Sequence, residues 1–421
     1  MKDFHIQNRK NFAEKMPNGS FLVVFSGTAP VERGNRYYKF SAQRNMFYLT
    51  GIGNPAVVLV MKKNGKGELN ERLYIERFDE MYAKWEGAPI NAERAKEISG
   101  IENFSYIDEL DAHIASAIVR ERFSTMYMDM DNRSLNSSNT PELDMANRVR
   151  EKFPAVCMVN AHPILGELRR IKEDYEIEQI QKAADCAGEG FLAYMDNVRI
   201  GMKEYELEAH WDYVVKKNGM SRSFDTIMAS GKNATVLHYH ANDAEIKDGD
   251  LVLTDFGASC NWYASDLSRT FPANGKFTPR QREIYEIVLG AMKKVFEICK
   301  PGTNFSALNE AVKEHYKVEL TRIGLIKDES EIAKYYYHGV SHMLGLEVHD
   351  VGAGSTATDG ELVLAPGMVF TVEPGLYIEE EAIGIRIEDD ILVTETGYKN
   401  LTQAYPKEIA DIESYMAKRN A

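Results

Sequence analysis

The chain has 421 residues, of which 44% are hydrophobic and 27% charged, a composition typical of a folded protein rather than a disordered one. Its 50 Lys and Arg residues against 64 Asp and Glu residues give a net charge of −14. This acidic balance excludes a general nucleic-acid binder and disfavours attachment to anionic membranes. A chain of this length is expected to form two or three domains.

Cysteine usage and hydropathy predict the cellular compartment. The four cysteines have neither zinc-finger nor redox spacing and are too few for a disulfide scaffold, so we expect reduced thiols. The amino-terminal residues lack the apolar segment of a signal peptide, and no stretch approaches the roughly 18 apolar residues that span a bilayer. We therefore expect a cytoplasmic protein with no membrane partner.

The first part of the chain alternates short apolar runs with helical patterns. Its predicted elements are strands at Phe21–Phe25, Ala56–Met61 and Arg72–Glu76, helices at Ala92–Ser99 and Leu110–Arg122, and a strand at Met126–Met130. Such alternation is typical of an α/β domain. A soft boundary near Phe153–Glu167, with two prolines, precedes a long helical pattern. We therefore predict a smaller amino-terminal α/β domain at 1–165 and a second domain at 166–421.

The second part places helices between groups of strands. The predicted elements are helices at Glu173–Asp196 and Tyr205–Asn218, strands at Leu251–Phe256 and Ala264–Phe271, helices at Pro279–Cys299 and Phe305–Ile323, and strands at Glu361–Leu364, Val369–Glu373 and Gly384–Thr394. Thr278 is a typical N-cap residue, and Pro279 suits the first helical position. The order of elements predicts an α+β domain with a curved sheet.

Four acidic residues interrupt strand-like segments of the second part: Asp255, Asp266, Glu373 and Glu388. Burying an ionised carboxylate without a partner is costly, and several together repel one another. Each acid alone is explained equally well by a solvated strand end or by pairing with an arginine. Arg386 is such a candidate, because side chains alternate along a strand and place it on the same face as Glu388. Four acids together favour a bound cation.

Histidines cluster in the same part of the chain. His338, His342 and His349 fall within twelve residues, although the chain has only ten histidines. His238 and His240 are candidates for the same site, and His240 is the weaker because it can simply be solvated. A single histidine is usually structural, but this density beside unpaired acids favours metal coordination and proton handling.

One histidine and four carboxylates form a hard, oxygen-rich donor set that suits Mn²⁺, Mg²⁺ or Fe²⁺ better than a structural zinc. Five ligands exceed the need of one open catalytic ion and fit two ions about 3.5–4 Å apart. Asp255-Phe-Gly matches a kinase tripeptide, but the chain lacks a glycine-rich phosphate loop and a His-Arg-Asp loop. His-Glu-x-x-His and Gly-x-Ser-x-Gly motifs are also absent from the sequence.

The ordered motifs of the chain resemble those of the creatinase/methionine aminopeptidase, or pita-bread, family, and within it the aminopeptidase P/prolidase branch. The motifs are Thr-Asp255-Phe-Gly, Ser-Asp266-Leu-Ser-Arg-Thr-Phe, His338-Gly-Val-Ser-His342 through His349-Asp, Thr-Val-Glu373-Pro-Gly-Leu-Tyr and Gly-Ile-Arg-Ile-Glu388-Asp-Asp. In the amino-terminal part, Gln-Arg-Asn-Met-Phe-Tyr-Leu-Thr-Gly and Lys-Trp85-Glu-Gly are similar to the accessory domain of that branch. Glu-Leu-Arg-Arg-Ile-Lys172 is similar to the usual entry into its catalytic domain.

The resemblance implies a pita-bread catalytic domain and a set of site residues. The implied metal ligands are Asp255, Asp266, His342, Glu373 and Glu388, with Asp266 and Glu388 bridging two divalent ions, usually Mn²⁺, with Zn²⁺, Co²⁺ and Fe²⁺ as alternatives. Asp255 completes the sphere of one ion, and His342 and Glu373 that of the other. His238 and His349 match substrate-facing positions, and His338 and Arg386 match positions that support the ligands or handle protons. Tyr377 and Trp85 are expected as walls of the substrate pocket.

The implied reaction is hydrolysis of the bond between an amino-terminal residue and a following proline, with Glu373 as the proton acceptor. The implied partners are peptides with proline in second position, and a homodimer or homotetramer is expected. One departure concerns the stretch Ala357–Leu364, where relatives often carry an arginine that can engage a substrate carboxylate, and none is present here. The alternatives are an Xaa-Pro dipeptidase (prolidase), creatine hydrolysis, which does not need the metal ligands, and a non-catalytic peptide-binding protein.

Overall fold

The computed structural model describes residues 1–131, 134–136, 139–352 and 361–419. The chain divides into two compact units, Met1–Arg169 and Arg170–Ala421, which are described separately. The domain limits at 1–165 and 166–421 remain a sequence-based prediction.

The unit Met1–Arg169 is built around one sheet. Its helices are α1 (Lys2–Lys15), α2 (Arg44–Thr50), α3 (Glu80–Glu86), α4 (Ala92–Ser99), α5 (Leu110–Val119), α6 (Pro141–Lys152) and α7 (His162–Arg170). Its strands are β1 (Ser20–Phe25), β2 (Val31–Arg33), β3 (Arg36–Tyr37), β4 (Val58–Lys63), β5 (Leu69–Ile75), β6 (Asn103–Tyr106), β7 (Thr125–Met128) and β8 (Cys157–Asn160). Six strands pair in the order β6-β5-β4-β1-β7-β8, and β2 and β3 form a separate hairpin.

Strand β1 lies in the middle of this sheet and is buried along nearly its whole length. Phe21 and Val23 of β1 pack into one core cluster with Leu110 and Ile114 of α5 and with residues of α6. On α1, Phe12 meets the edge of Tyr127 with ring centroids 6.2 Å apart. The predicted α/β class of this part is confirmed.

The unit Arg170–Ala421 has five helices and eleven strands in its described residues. Its helices are α8 (Asp174–Asn197), α9 (Glu204–Lys217), α10 (Pro279–Ile298), α11 (Phe305–Arg322) and α12 (Ile409–Arg419). Its strands are β9 (Ser221–Arg222), β10 (Ile227–Ser230), β11 (Leu251–Phe256), β12 (Ala258–Cys260), β13 (Tyr263–Ala264), β14 (Leu267–Pro272), β15 (Val369–Val372), β16 (Gly375–Ile378), β17 (Ile383–Arg386), β18 (Asp389–Val393) and β19 (Tyr398–Asn400).

Short antiparallel sheets of this unit meet along β14. One sheet has the order β10-β11-β14 and another the order β15-β18-β19. The link between them is the backbone of Arg386 and Glu388: the Glu388 N–H donates to the Ser268 carbonyl at 3.0 Å, and Thr270 Oγ1 donates to the Arg386 carbonyl at 3.1 Å. The long helices pack their apolar sides against these strands in one large core. The predicted α+β class is confirmed.

Three predicted strands differ from the structure. The predicted strand Ala264–Phe271 is two strands, β13 and β14, which are interrupted at Ser265 and Asp266. Residues 361–364 do not form a strand, because Val363 makes only an isolated bridge to Asn304. The predicted strand Gly384–Thr394 is two strands, β17 and β18, which are interrupted at Ile387 and Glu388. The N-cap of α10 is as predicted, since the Thr278 side chain accepts from the Gln281 N–H and Pro279 is the first helical residue. No helix in the described ranges is long and apolar enough to cross a membrane.

The packing of α8 gives a test of the fold. A Cβ at Gly188 would lie 1.7 Å from Cζ of Tyr405. Gly188→Ala should therefore lower the free energy of unfolding by about 1–3 kcal/mol, although alanine is the better helix former. In a Tyr405→Ala background, Gly188→Ala should leave the free energy of unfolding unchanged or raise it by up to about 1 kcal/mol. Urea unfolding followed by circular dichroism measures both values, and a stabilising Gly188→Ala in the parent chain would contradict the packing.

Candidate active site

Each of the four acids is placed by a strand of the Arg170–Ala421 unit. Asp255 lies near the end of β11, opposite Ile227 of β10 and Ser268 of β14. Asp266 directly precedes β14, Glu373 directly follows β15, and Glu388 occupies the break between β17 and β18. Because these strand ends meet at one place, side chains distant in sequence converge.

The structure brings three side chains close enough to hold one metal ion. Single ligand atoms of Asp266, His342 and Glu388 all lie within 4.8 Å of one another. His342 Nε2 is 3.4 Å from Asp266 Oδ2 and 3.4 Å from Glu373 Oε1, which adds Glu373 to the group. Asp255 belongs to the same group, because it lines the same cavity as the other four residues.

Several oxygens of this cluster lack hydrogen-bond donors. Among the described residues, none donates to Asp255 Oδ1, Asp266 Oδ1 or Glu388 Oε1, although all three atoms are buried. Unsatisfied buried carboxylate oxygens are costly and rare. A divalent cation would satisfy them, so the residues present fit a metal site of oxygen-rich ligation.

The tautomer of His342 also fits a metal ligand. Its Nδ1 lies 3.2 Å from the Met343 carbonyl, and since a carbonyl only accepts, Nδ1 carries the proton and donates. Nε2 therefore presents a lone pair toward Asp266 and Glu373, the arrangement typical of metal-binding histidines. Burial lowers the pKa of His342 to about 4, which keeps the ring neutral at pH 7.

Burial and mutual repulsion perturb the acids of the cluster. The pKa values of Asp266 and Glu388 are raised well above their usual range, first by burial and then by the neighbouring carboxylates. Burial raises the pKa of Glu373 to about 8, and Arg386 opposes that rise. The direction is the same for all three acids, because burial solvates their charged forms poorly and so favours the protonated carboxyls when no cation is bound.

Arg386 is fully engaged by its own chain. Its guanidinium donates to Asp255 Oδ2 at 2.5 Å, to Ser268 Oγ at 2.8 Å and to the Tyr377 hydroxyl at 2.9 Å. It therefore neutralises one charge of the cluster and fixes Asp255. The predicted alternation is also confirmed, since Arg386 and Glu388 line the cavity while Ile385 and Ile387 lie in the core.

A chain of hydrogen bonds runs from Arg386 to His338. His338 Nδ1 donates to the Gly339 carbonyl at 2.8 Å, so Nε2 accepts from the Tyr377 hydroxyl at 2.8 Å, and that hydroxyl accepts from Arg386. Burial lowers the pKa of His338 to about 4. Its Nδ1 lies 3.8 Å from Glu373 Oε2, which places the ring beside the cluster rather than in it.

A cavity of about 500 Å³ opens onto the cluster. Its lining includes Phe224, Asp225, Ile227, Leu237, His238, His240, Asp255, Asp266, His338, Gly339, Ser341, His342, Val348, His349, Glu373, Arg386 and Glu388. The histidine rings of positions 238 and 240 are stacked with centroids 6.2 Å apart, and those of His342 and His349 meet edge to face at 4.4 Å. The cavity is thus acidic at its floor and apolar and imidazole-lined on its walls.

The two residues expected as pocket walls differ in burial. Tyr377 is only 2% exposed, and its hydroxyl contacts His338 and Arg386. Trp85 lies on α3 of the Met1–Arg169 unit and is 81% exposed. Part of the stretch with the missing arginine, residues 357–360, lies outside the described residues.

The sequence analysis missed several residues of the site. Phe224, Leu237 and Val348 supply apolar wall, and their only signal is a position next to motif residues. Asp390 Oδ2 accepts from the Asp266 N–H at 3.2 Å. Arg269, fully buried, donates to the Glu388 carbonyl and to Asp389 Oδ1. Charged residues inside the buried strands β14 and β18 were the available signal.

Comparison with known proteins assigns a class to this arrangement. Residues 178–395 match the model of metallopeptidase family M24, and residues 5–127 match the N-terminal domain of aminopeptidase P. The chain therefore belongs to metallopeptidase family M24, which implies divalent metal ions in the site. With the matched amino-terminal domain, it falls in the aminopeptidase P branch of the pita-bread fold.

Individual relatives and structures agree with this class. The Xaa-Pro aminopeptidase of Haemophilus influenzae is 35% identical over 99% of this chain and 97% of its own length. The Xaa-Pro dipeptidase of Rattus norvegicus is 34% identical over 82% of this chain and 78% of its own. A Bacillus anthracis structure, described as a candidate aminopeptidase P, has a TM-score of 0.96 and 44% identity over 99% of both chains. The structure of Escherichia coli aminopeptidase P with the inhibitor Pro-Leu has a TM-score of 0.92 and 31% identity, over 100% of this chain and 99% of the other.

The raised pKa values predict the pH dependence of metal binding. A cation that binds to protonated carboxyls must displace their protons, so binding should release protons near pH 7 and weaken as the pH falls. Titration calorimetry of metal-stripped protein with Mn²⁺, in buffers of different ionisation enthalpy, counts the released protons. Zero release at pH 7 would mean that the acids are already ionised without a metal.

Proposed function

We propose that the protein is a metal-dependent exopeptidase that hydrolyses the bond between an amino-terminal residue and a following proline. The observation that carries this proposal is the convergence of four carboxylates and His342 at the floor of a cavity bordered by His238 and His349. The M24 domain and the Xaa-Pro aminopeptidase relatives supply the reaction class.

The proposed ligands are Asp255, Asp266, His342, Glu373 and Glu388, with Asp266 and Glu388 shared between two divalent ions. The orphaned oxygens of Asp255, Asp266 and Glu388 support this assignment. Mn²⁺ suits the hard donor set, with Zn²⁺, Co²⁺ and Fe²⁺ as alternatives. When bound, the metal supplies a water of lowered pKa and an electrophile for the scissile carbonyl.

Glu373 is the proposed general base. Its carboxylate lies between His342 Nε2 and His338, and its position directly after β15 fixes it at the cavity floor. From there it accepts the proton of the attacking water and returns it to the leaving nitrogen. His338, whose pKa is lowered first by burial and then by Arg386, stays neutral beside Glu373 and adds no positive charge.

His238 and His349 are the proposed contacts to the substrate. Both rings line the cavity and both residues are exposed, so their ring atoms can reach a peptide. His238 donates to the scissile carbonyl, and His349 donates to the tetrahedral species as negative charge develops on its oxygen. The roles of both are expected to appear in kcat more than in KM, because the charge exists only in the transition state.

The proposed selection for proline depends on hydrogen bonding at the position of its ring nitrogen. The imide nitrogen of proline has no hydrogen to donate, so a site that offers no acceptor at that point loses nothing with proline. The apolar side chains of Phe224, Ile227, Leu237 and Val348 are the proposed slot for the ring. An ordinary peptide N–H placed there would lose its water partner.

Assembly, compartment and domain limits are further proposals. We propose a homodimer or homotetramer, which is supported by exposed apolar side chains on and beside α3: Phe78, Met81, Tyr82 and Trp85. Burial of such side chains between subunits is favourable.

The sparse free cysteines support the cytoplasm as the compartment. Limits at 1–165 and 166–421 remain the proposed domains.

Removal of one shared ligand tests the metal assignment. Asp266→Ala should abolish binding of both ions and lower kcat/KM for Ala-Pro-Ala by at least about 10³-fold, with the far-ultraviolet circular dichroism spectrum unchanged. Asp411→Ala, on the surface of α12, is the matched control and should bind two ions with parental activity. Full activity of Asp266→Ala would refute the site.

Substrate length separates the aminopeptidase from the dipeptidase alternative. Metal-stripped protein reloaded with Mn²⁺ should cleave Ala-Pro-Ala with a higher kcat/KM than Ala-Pro, because the arginine that can engage a dipeptide carboxylate is absent from residues 357–364. Released alanine is the readout. Preference for Ala-Pro would identify a dipeptidase, and cleavage of neither with two metals bound would remove the proline specificity.

A further inference from the structure

Lys172 and Asp350 form a buried ion pair that the proposed mechanism does not use. Lys172 Nζ lies 3.0 Å from Asp350 Oδ2, and both side chains are 1% exposed. Lys172 stands just before α8, and Asp350 directly follows His349 in sequence. Because burial of two charges costs much of what their attraction returns, such a pair contributes less to stability than to fixing a geometry.

The surroundings of the pair leave little room for rearrangement. A Cβ at Gly345 would lie 2.1 Å from Asp350 Oδ2 and 2.9 Å from Lys172 Cε, so this position accommodates only glycine without a shift. The carboxyl of Glu176 lies nearby and accepts from the Tyr263 hydroxyl at 3.0 Å. Burial raises the pKa of Glu176 to about 7, and Lys172 opposes the rise.

The pair fixes a closed loop that carries the cavity histidines at its ends. The Asp350 N–H donates to the Met343 carbonyl at 2.8 Å and closes the loop from 343 to 350. The Ala264 N–H donates to the Gly345 carbonyl at 2.7 Å, which ties the loop to the segment that leads to Asp266. The Lys172 N–H donates to the Gly367 carbonyl at 2.8 Å, which anchors the lysine itself.

His349 depends on this anchor more than His342 does. The backbone of His342 is held on both sides, since its N–H donates to Thr371 Oγ1 and its carbonyl accepts from the Thr371 N–H. His349 is exposed at the cavity wall, whereas its neighbour Asp350 is buried. The backbone of His349 is therefore fixed on its carboxyl side by the buried Asp350, while its ring meets the His342 ring edge to face at 4.4 Å.

We propose that Lys172 is a positioning residue that, through its ion pair with Asp350, holds the His349 ring against the acid cluster in the geometry that the reaction needs. This inference rests on the proposed peptidase function. Loss of the lysine charge removes the Lys172 contact from a buried carboxylate, and movement of the loop toward solvent reduces the cost of that loss. Such a movement displaces His349 while the ligands stay in place.

A double-mutant cycle on the full-length, Mn²⁺-loaded protein tests this role, with Lys172→Met, His349→Ala and their combination. Lys172→Met should lower kcat for Ala-Pro-Ala tenfold or more, with KM and the number of bound metal ions within twofold of the parent. In the His349→Ala background the same change should alter kcat by less than twofold, because the ring that Lys172 positions is gone.

Two controls separate positioning from loss of stability. In a His338→Ala background, Lys172→Met should retain its full effect on kcat, since His338 is held by Gly339 and Tyr377 instead. Leu320→Ala, in the core side of α11, should lower the melting temperature comparably and leave kcat per metal-loaded site unchanged. Asp350→Asn keeps the side-chain shape and serves for the same cycle if Lys172→Met does not fold.

The outcomes are distinct from a failure of the proposed function. If the parent protein cleaves no Xaa-Pro peptide, the proposed function fails. If the parent is active and Lys172→Met either retains full kcat or lowers it by the same factor with and without His349, the positioning role is refuted.

Discussion

Repulsion among carboxylates that are buried together is the constraint on which the Arg170–Ala421 unit depends. Asp266 and Glu388 are 5% and 1% exposed; after burial itself, Glu388 raises the pKa of Asp266, and Glu373 and Asp255 raise the pKa of Glu388. Arg386 supplies one positive charge, which is too little for four acids. The repulsion among these acids opposes folding of the unit. A bound divalent cation would offset that repulsion, and the closely spaced acids would in turn favour its binding.

The surrounding strands fix the positions of these charged side chains. Ser268 of β14 donates to Glu388 and accepts from Arg386, so one hydroxyl fixes an acid and its countercharge together. The hydrogen bonds from Arg386 through the Tyr377 hydroxyl to His338 fix the His338 ring at the cavity wall. The buried pair of Lys172 and Asp350 lies at the end of the loop 343–350, directly after His349, and is the proposed anchor of that ring. Rigid strands thus hold the acids, and internal polar pairs hold the histidines.

Much of this arrangement could be predicted from the sequence, because each acid violates the apolar pattern of a buried strand. Helices α8 to α11 were equally visible, since their apolar periodicity and the Thr278 cap are local signals. Helix α1 was missed because its buried side carries His5, Asn8 and Arg9, and Arg9 donates to carbonyls of Leu49 and Ser99. Such polar burial is compensated by tertiary contacts that sequence patterning does not contain.

The remaining differences also arise from tertiary structure. Tyr377 lies on the buried strand β16, which was not predicted, and its hydroxyl contacts His338 and Arg386. At the break between β17 and β18, the Glu388 N–H donates to the Ser268 carbonyl of β14 and the Glu388 side chain faces the acid cluster. The wall residues Phe224 and Val348 have no sequence signal of their own, because a cavity is defined only when distant segments meet.

The most direct test of the central claim is a crystal structure of the Mn²⁺-loaded protein with anomalous scattering measured at the manganese edge. Two anomalous peaks about 3.5–4 Å apart are expected, with oxygens of Asp266 and Glu388 between them and His342 Nε2 bound to one. A single peak, or peaks away from these side chains, would contradict the proposed metal site.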